Sequence, residues 1–347
     1  MSITEFPALV LPLPSGEVAA KAGRRFFAER LDVAPPSRTA VRGGLASRAL
    51  APSGTVAHPC PSPGGRGVVG WIVLVLLFSL PARAEVDGSS LLHGDWTQGH
   101  VVLGHAPPGS RAWFNGRSLS VSAAGDFVFG LDRDAKGEAT LKLLLPGEKT
   151  PVLVRRDVAT REYQVQRIDG LPEAKVNPPK SALAQITRDA ATLKAARQRD
   201  SALDGFVQPI EWPLHGRISG SWGNQRILNG VPKSPHSGTD IAVPTGTPVA
   251  APADGVVSVA APDMYYTGGT LMIDHGHGLQ SMLIHLSKLE VKKGDVVKQG
   301  QIVAESGMTG RATGPHLHWA MFWFDARIDP QTLVPPMPAL PEPAAKP

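Results

Sequence analysis

The chain has 347 residues, with 35 Lys/Arg against 30 Asp/Glu, one cysteine and a formal net charge of +5. That length holds about two domains. Nine of the basic and four of the acidic residues precede residue 85, which leaves 26 of each beyond it, so the charge offers no reason to invoke a nucleic acid. Cys60 also lies in that leading stretch, and the cysteine-free remainder of the chain suits an oxidising compartment without disulfides.

Residues 1–67 are rich in Pro, Gly, Ala, Ser and Arg and have no sustained apolar period, so they read as a disordered leader. Val68 to Leu80 is an apolar run too short to span a bilayer, preceded by Arg66 and closed by Pro81-Ala82-Arg83-Ala84. Residues 68–84 are therefore expected to be a secretory signal peptide cut after Ala84, leaving no transmembrane anchor. A signal peptide normally opens the chain, so true initiation is expected close to Val68.

Residues 85–170 alternate short Val-, Leu- and Phe-rich runs with turn residues, and Asn115-Gly116 is a strong hairpin signal. The spacing predicts a small antiparallel β-sandwich. His93, His100 and His105 lie here without metal-type spacing. Residues 171–207 form a proline-broken linker and then a helix from about Ser181, its N-cap, to Arg199, with Leu183, Ile186, Ala190 and Leu193 along one stripe. Residues 208–336 are dense in Gly, Pro and β-branched residues. Their strand candidates are 217–222, 240–243, 247–260, 270–274, 280–286, 295–306 and 316–324. The fold class is all-β, a compact C-terminal sheet domain preceded by the sandwich and a short helix. Residues 337–347 read as a Pro-rich tail.

Seven of the eleven histidines fall in the last domain. In Gly314-Pro315-His316-Leu317-His318-Trp319 a turn releases into a strand, so His316 and His318 project from one face while Leu317 points to the other. Pro235 and Gly238 keep His236-Ser237-Gly238-Thr239-Asp240 from being helical, which puts His236 in a turn and Asp240 at a strand start. His236, Asp240 and one of His316 and His318 make a three-ligand site with a fourth position for water, and N/O donors suit zinc. The other member of that pair and His285 remain as free imidazoles, able to take a proton or steady an oxyanion.

Four segments carry a resemblance: SPHSGTDIAVPTGTPVAAPADGVV, GGTLMIDHGHGLQSMLIHLS, VKKGDVVKQGQIVAESGMTG and RATGPHLHW. Over about Gly216 to Pro330 the chain resembles the lysostaphin-type (LytM, M23) zinc metallopeptidases, with every motif segment in order. The resemblance implies a compact all-β fold that cuts cross-links or stems of peptidoglycan. It implies Zn2+ held by His236, Asp240 and His318, with His285 and His316 as the unliganded catalytic histidines. Arg226 matches a position commonly Arg in that family, and a solvated surface Arg is the other reading. Leu283 stands where the family usually has Tyr, which suggests a lost hydroxyl near the site. His275 and His277 read as structural, and His215 has no argued role.

By the same resemblance the setting is the periplasm of a Gram-negative bacterium, the substrate peptidoglycan, and the bond favoured that between D-Ala and meso-diaminopimelate. A non-enzymatic activator of other wall hydrolases is the alternative; loss of a ligand would favour it, and all three are present. A carrier domain, suggested by Lys293 to Val303, lacks a modifiable lysine in an exposed hairpin. The region before the catalytic domain is either a passive spacer or a cover over His285 and His316, displaced by a periplasmic regulator or the wall.

Overall fold

The computed structural model describes residues 91–170 and 176–338. The leader, the signal peptide, residues 171–175 of the linker and the tail from residue 339 lie outside the described residues. Among the described residues no helix is long and apolar enough to cross a membrane. The fold is all-β apart from short helices.

The first half holds β1 (Leu92–His93), β2 (Val101–His105), β3 (Arg111–Phe114), β4 (Arg117–Leu119), β5 (Asp126–Gly130), β6 (Glu138–Leu144), β7 (Val152–Asp157) and β8 (Val165–Ile168). Sheet β1-β2-β5 and sheet β4-β3-β6-β7 are antiparallel. Asn115 and Gly116 both have positive φ, 46° and 84°, as a two-residue hairpin with the right twist requires, and they join β3 to β4. Along β6 every second residue is buried (Ala139, Leu141, Leu143), so its period of two delivers one face to the core. Phe114 stacks on Phe129 at 4.2 Å between centroids, and Trp96 meets both edge-on.

Beyond the linker come β9 (Arg217–Gly220), β10 (Gln225–Leu228), β11 (Val231–Pro232), β12 (Thr239–Ala242), β13 (Pro248–Ala250), β14 (Gly255–Met264), β15 (Gly268–Gly276), β16 (Leu279–Leu286), β17 (Lys288–Leu289), β18 (Val296–Val297), β19 (Ile302–Glu305), β20 (Leu317–Trp323) and β21 (Ala326–Ile328). The main sheet runs β18-β14-β15-β16-β20-β12-β9, with β21 on β20, and β13-β19-β17 form a smaller one. Two expected strands are each split. The stretch 247–260 breaks at the Ala251–Asp254 turn, and 295–306 breaks where Gly300 takes φ 78°. The β10–β11 hairpin was not expected from the sequence.

Both faces of the main sheet are covered. Leu271, Ile273, Leu283, Leu317, Trp319 and Met321 point to the large core, while Met272, Met282, Ile284, Ala320 and Phe322 point to the opposite face. The helix Leu183–Arg197 lies on that second face through Leu193 and Ala196. It departs from the expected pattern at its start. Ser181 sits in a 3-10 turn (Lys180–Ala182), and the cap position belongs to Ala182, without a side-chain bond. Leu183 and Ala190 are exposed, because polar anchors set the docking angle: Gln185 to the Asp263 carbonyl and the Tyr265 N–H to Asp189, at 3.0 and 2.8 Å.

The two halves meet directly. Trp323 of β20 reaches Phe114 at 6.0 Å, Arg327 binds Asp132 at 2.8 Å, and Arg161 binds the buried Asp329 at 2.9 Å. β8 pairs in parallel with β10, Gln166 opposite Arg226.

Candidate functional site

Antiparallel pairing of β12 with β20 sets Asp240 opposite His318, and that register alone makes carboxylate and imidazole neighbours on one face. His236 enters from the loop before β12, four residues ahead of Asp240. The turn between them passes so close to β20 that a Cβ at Gly238 would lie 2.3 Å from the Trp319 carbonyl, so only glycine fits. On the other flank a Cβ at Gly220 would lie 2.4 Å from Asp240 Oδ2. These two glycines let a turn and a strand approach the buried carboxylate.

Three donor atoms converge. His236 Nε2 lies 3.0 Å from Asp240 Oδ1 and 2.9 Å from His318 Nδ1, and His318 Nδ1 lies 2.7 Å from the same Oδ1. The Nδ1–H of His236 donates to the Ser221 carbonyl at 2.9 Å, so its Nε2 carries a lone pair toward the carboxylate. With neutral rings the triangle contains one proton at most, on His318. Facing lone pairs of this kind are the donor set of a cation. Tetrahedral zinc, at about 2.0–2.2 Å from each ligand, sets its donors roughly 3.3 Å apart, close to what is seen. All three residues are buried. Burial opposes ionisation of Asp240, yet the His236 and His318 rings outweigh it and hold the carboxyl well below its usual range. Burial lowers His318 to about 4, which keeps that ring neutral and able to ligate.

Two further imidazoles flank the triangle. His316 Nε2 is 3.8 Å from Asp240 Oδ1, and its Nδ1–H donates to the Gly314 carbonyl at 2.8 Å. The Nδ1–H of His285 donates to the Thr309 carbonyl at 2.8 Å, and the His285 and His316 rings are 4.8 Å apart. Each ring is thereby fixed in the tautomer that leaves Nε2 unprotonated. Burial, followed by the neighbouring His318 and His316, lowers His285 to about 3. His285 has φ 64°, an uncommon conformation for a non-glycine residue, and its N–H is held by the Thr267 carbonyl at 2.9 Å.

Support reaches the site from outside the main sheet. Arg226 on β10 donates from Nη2 to Asp240 Oδ2 at 3.1 Å, which settles its role against that of a solvated surface residue. The loop before β10 is bonded to His236 twice, Gly223 N–H to its carbonyl at 2.9 Å and its N–H to the Asn224 carbonyl at 2.8 Å. That loop is in turn held by the first half of the chain. Arg133 Nε donates to the Gly223 carbonyl at 2.6 Å, Tyr163 packs edge-on against Trp222, and β8 pairs with β10. Gln166 and Ile168 of β8 line the groove beside Asp240, His285 and His316, so the region before the catalytic domain is neither remote from the site nor a detached spacer.

Leu283 is a correction. It is fully buried in the large core opposite Trp319, on the face away from His318, so the hydroxyl thought lost from the site would not have been there. His275 is satisfied between the Asp254 carbonyl and Ser281 Oγ at 2.8 and 2.9 Å, and His277 stacks on Phe206 at 4.2 Å. His105 pairs with Asp126 at 2.6 Å and His100 faces Asp95 at 3.8 Å, both far along the chain from the triangle. Sequence reasoning missed Arg217, Arg311 and Gln166 in the groove. Arg311 stands inside the RATGPHLHW motif, and nothing in the sequence ties Gln166 to the site.

Residues 234–330 match the family model described as Peptidase family M23. Among curated proteins the chain is similar to the peptidoglycan DD-endopeptidase ShyA of Vibrio cholerae serotype O1, 47% identical over 107 residues covering 30% of this chain and 24% of that one. It is also similar to the DD-carboxypeptidase/endopeptidase Mpg of Neisseria meningitidis serogroup B, 42% identical over 108 residues covering 31% and 24%. The chain thus spans about a quarter of the length of these curated relatives. A solved structure from Pseudomonas aeruginosa, assigned to peptidase M23, matches far more: 71% of this chain and 97% of that one, at 31% identity and a TM-score of 0.55. With the motifs, the buried His/Asp/His triangle and this near-complete overlap in agreement, the chain belongs to peptidase family M23.

Proposed function

We propose that this chain is a zinc-dependent endopeptidase that cleaves peptide cross-links or stems of bacterial peptidoglycan. His236 Nε2, Asp240 Oδ1 and His318 Nδ1 would hold the ion, and His285 and His316 would be the catalytic bases. The observation that carries the reading is the convergence of those three donor atoms with only one proton to share among them. Bound zinc supplies Lewis acidity and a water acidified to near neutrality. His316 and His285 present unprotonated Nε2 atoms beside the triangle, so each can accept a proton from the nucleophile and return it to the leaving amine. Arg226 keeps Asp240 oriented through its second oxygen, as the partners of metal ligands do.

Peptidoglycan as substrate is supported by the relatives named as peptidoglycan DD-endopeptidases and by the apolar run with its small-residue exit, which together favour the periplasm. The test is mass spectrometry of fragments released from purified sacculi by the zinc-loaded protein. Conversion of cross-linked dimers to monomers is the expected result, with the new termini naming the bond. Intact dimers after exposure to fully zinc-loaded protein would overturn the reading.

A further inference from the structure

The groove beside the triangle has a volume of about 270 Å³, and the β8–β10 pair forms one of its walls. Gln166 and Ile168 of β8 line it, as do Arg226 and Leu228, which stand opposite them in register on β10. Val165 and Arg167, the alternate residues of β8, are exposed on the other face. Paired strands lie about 4.8 Å apart, so the Gln166 and Arg226 side chains leave the sheet side by side. Arg226 reaches on to Asp240 Oδ2 at 3.1 Å, which puts Gln166 one side chain away from a residue of the triangle.

These two neighbours also carry unsatisfied polar atoms. Gln166 Oε1 and Arg226 Nε are both buried, and neither has a hydrogen-bond partner. Among the described residues no other buried side-chain atom in the lining of this groove is left so. Buried donors and acceptors are costly unless a partner is supplied. One of the pair is an acceptor and the other a donor, and no bond joins them although their strands are paired. Arg226 meets Asp240 through Nη2, so its Nε–H is not spent there. An extended peptide presents the N–H and C=O of one residue on the same edge, as a strand does when it exchanges two bonds with a ladder partner. Gln166 Oε1 and Arg226 Nε–H are the complement of that edge.

We infer that Gln166 is a substrate-binding residue: its Oε1 accepts a backbone N–H of the peptide, while the Nε–H of Arg226 donates to the carbonyl of the same peptide residue. This rests on the peptidase reading and adds to it a recognition residue from the first half of the chain, outside residues 234–330 that match the family model. The contact is made to backbone beside the scissile bond and not to the reacting atoms. Its strength is therefore the same in ground and transition states and shows in KM, with kcat nearly unchanged.

The probe is a synthetic cross-linked stem dimer with a set of analogues, each N-methylated at one non-scissile amide. KM and kcat are read on the full zinc-loaded chain, and affinity by calorimetry on the same chain carrying His316→Ala, so that nothing is consumed. Methylation at one position should raise KM about five- to tenfold while kcat holds. Gln166→Met keeps the length of the side chain and lacks the acceptor. It should raise KM on the unmodified dimer by the same factor and lose its sensitivity to that methylation, with zinc stoichiometric and Tm unchanged. A thiocarbonyl on the same peptide residue, a poorer acceptor for Arg226, should raise KM by a smaller factor in both proteins. Unchanged KM in Gln166→Met, or a variant that still pays the full cost of every methylation, would overturn the inference. Faster turnover in Gln166→Met would overturn it too, since β8 would then be a cover. Failure of the peptidase reading has a different signature: the dimer bound with the same dependence on Gln166 and recovered uncut.

Discussion

Between Leu92 and Ile168 the buried side chains are nearly all hydrocarbon or aromatic, with Trp96, Phe114, Phe127 and Phe129 at the centre. Beyond Arg217 the same density of packing encloses His236, Asp240, His285 and His318, together with His275, Asp274 and Gln280. Buried polar groups are costly unless partnered, and the second half partners them largely with loop carbonyls: Ser221, Thr309, Gly314 and Asp254 each take an imidazole N–H. Strands alone would not place those carbonyls. The contrast therefore teaches dependence as well as difference, since the loop that bears Ser221 and holds His236 is itself clamped by Arg133, Tyr163 and β8 from the first half.

The sharpest way to break this picture is to remove a donor. His236→Ala, Asp240→Ala and His318→Ala should each abolish stoichiometric zinc retention and all turnover. Elemental analysis showing full zinc in any one of them would remove that residue from the ligand set. Next come the two flanking imidazoles: His316→Ala and His285→Ala should keep the metal and lose roughly two to four orders of magnitude in turnover on sacculi. If His316→Ala loses zinc while His318→Ala does not, the pair is assigned the wrong way round.

Smaller effects probe the dependence between the halves. Arg226→Ala leaves Asp240 Oδ2 without its cation and should weaken zinc affinity by about 10–100-fold, measured by competition with a chelator. Arg133→Ala removes the bond to the Gly223 carbonyl from across the chain. Its cost is about 1–3 kcal/mol, seen as a lower Tm, with zinc affinity reduced by less than Arg226→Ala reduces it. Unchanged zinc affinity in Arg133→Ala would make the first half a neighbour of the site and not a support for it. A gain in turnover on trimming Gln166 and Ile168 would instead show that β8 acts as a cover.

Much of the site was legible because its chemistry is local in sequence. His316 and His318 sit two apart, and His236 and Asp240 share one turn, so residue type and spacing announce a metal. The all-β class was legible too, from the Asn115-Gly116 hairpin and from runs with a period of two. What could not be read is what depends on distant pairing. β10 was missed because its partner β8 lies across the linker and helix, and Gln166 has no meaning until that pairing places it at the groove. Leu283 was misjudged because motif proximity to His285 says nothing about which face a strand residue takes, and His285 itself leaves regular strand geometry at φ 64°. The helix stripe was partly right: Leu193 packs inward and Ile186 is half-buried, while tertiary anchors at Gln185 and Asp189 left Leu183 outside.

Pairing of β8 with β10 also bears on the order in which the chain assembles. Gln164 and Asn224, at the head of that pairing, are bonded at a separation of 60 residues, and the strands run parallel. Closing so long a loop lowers chain entropy before any contact is gained, which makes such pairings late events in folding. The loop that holds His236 hangs from this pairing, whereas Asp240 and His318 face each other through the β12–β20 ladder of the main sheet. The Asp240–His318 contact itself closes 78 residues, so every donor of the triangle waits on long-range pairing. Zinc uptake during refolding should accordingly not precede the burial of Trp319, which the β12–β20 ladder brings about, and it should await the closure of the β8–β10 pairing as well.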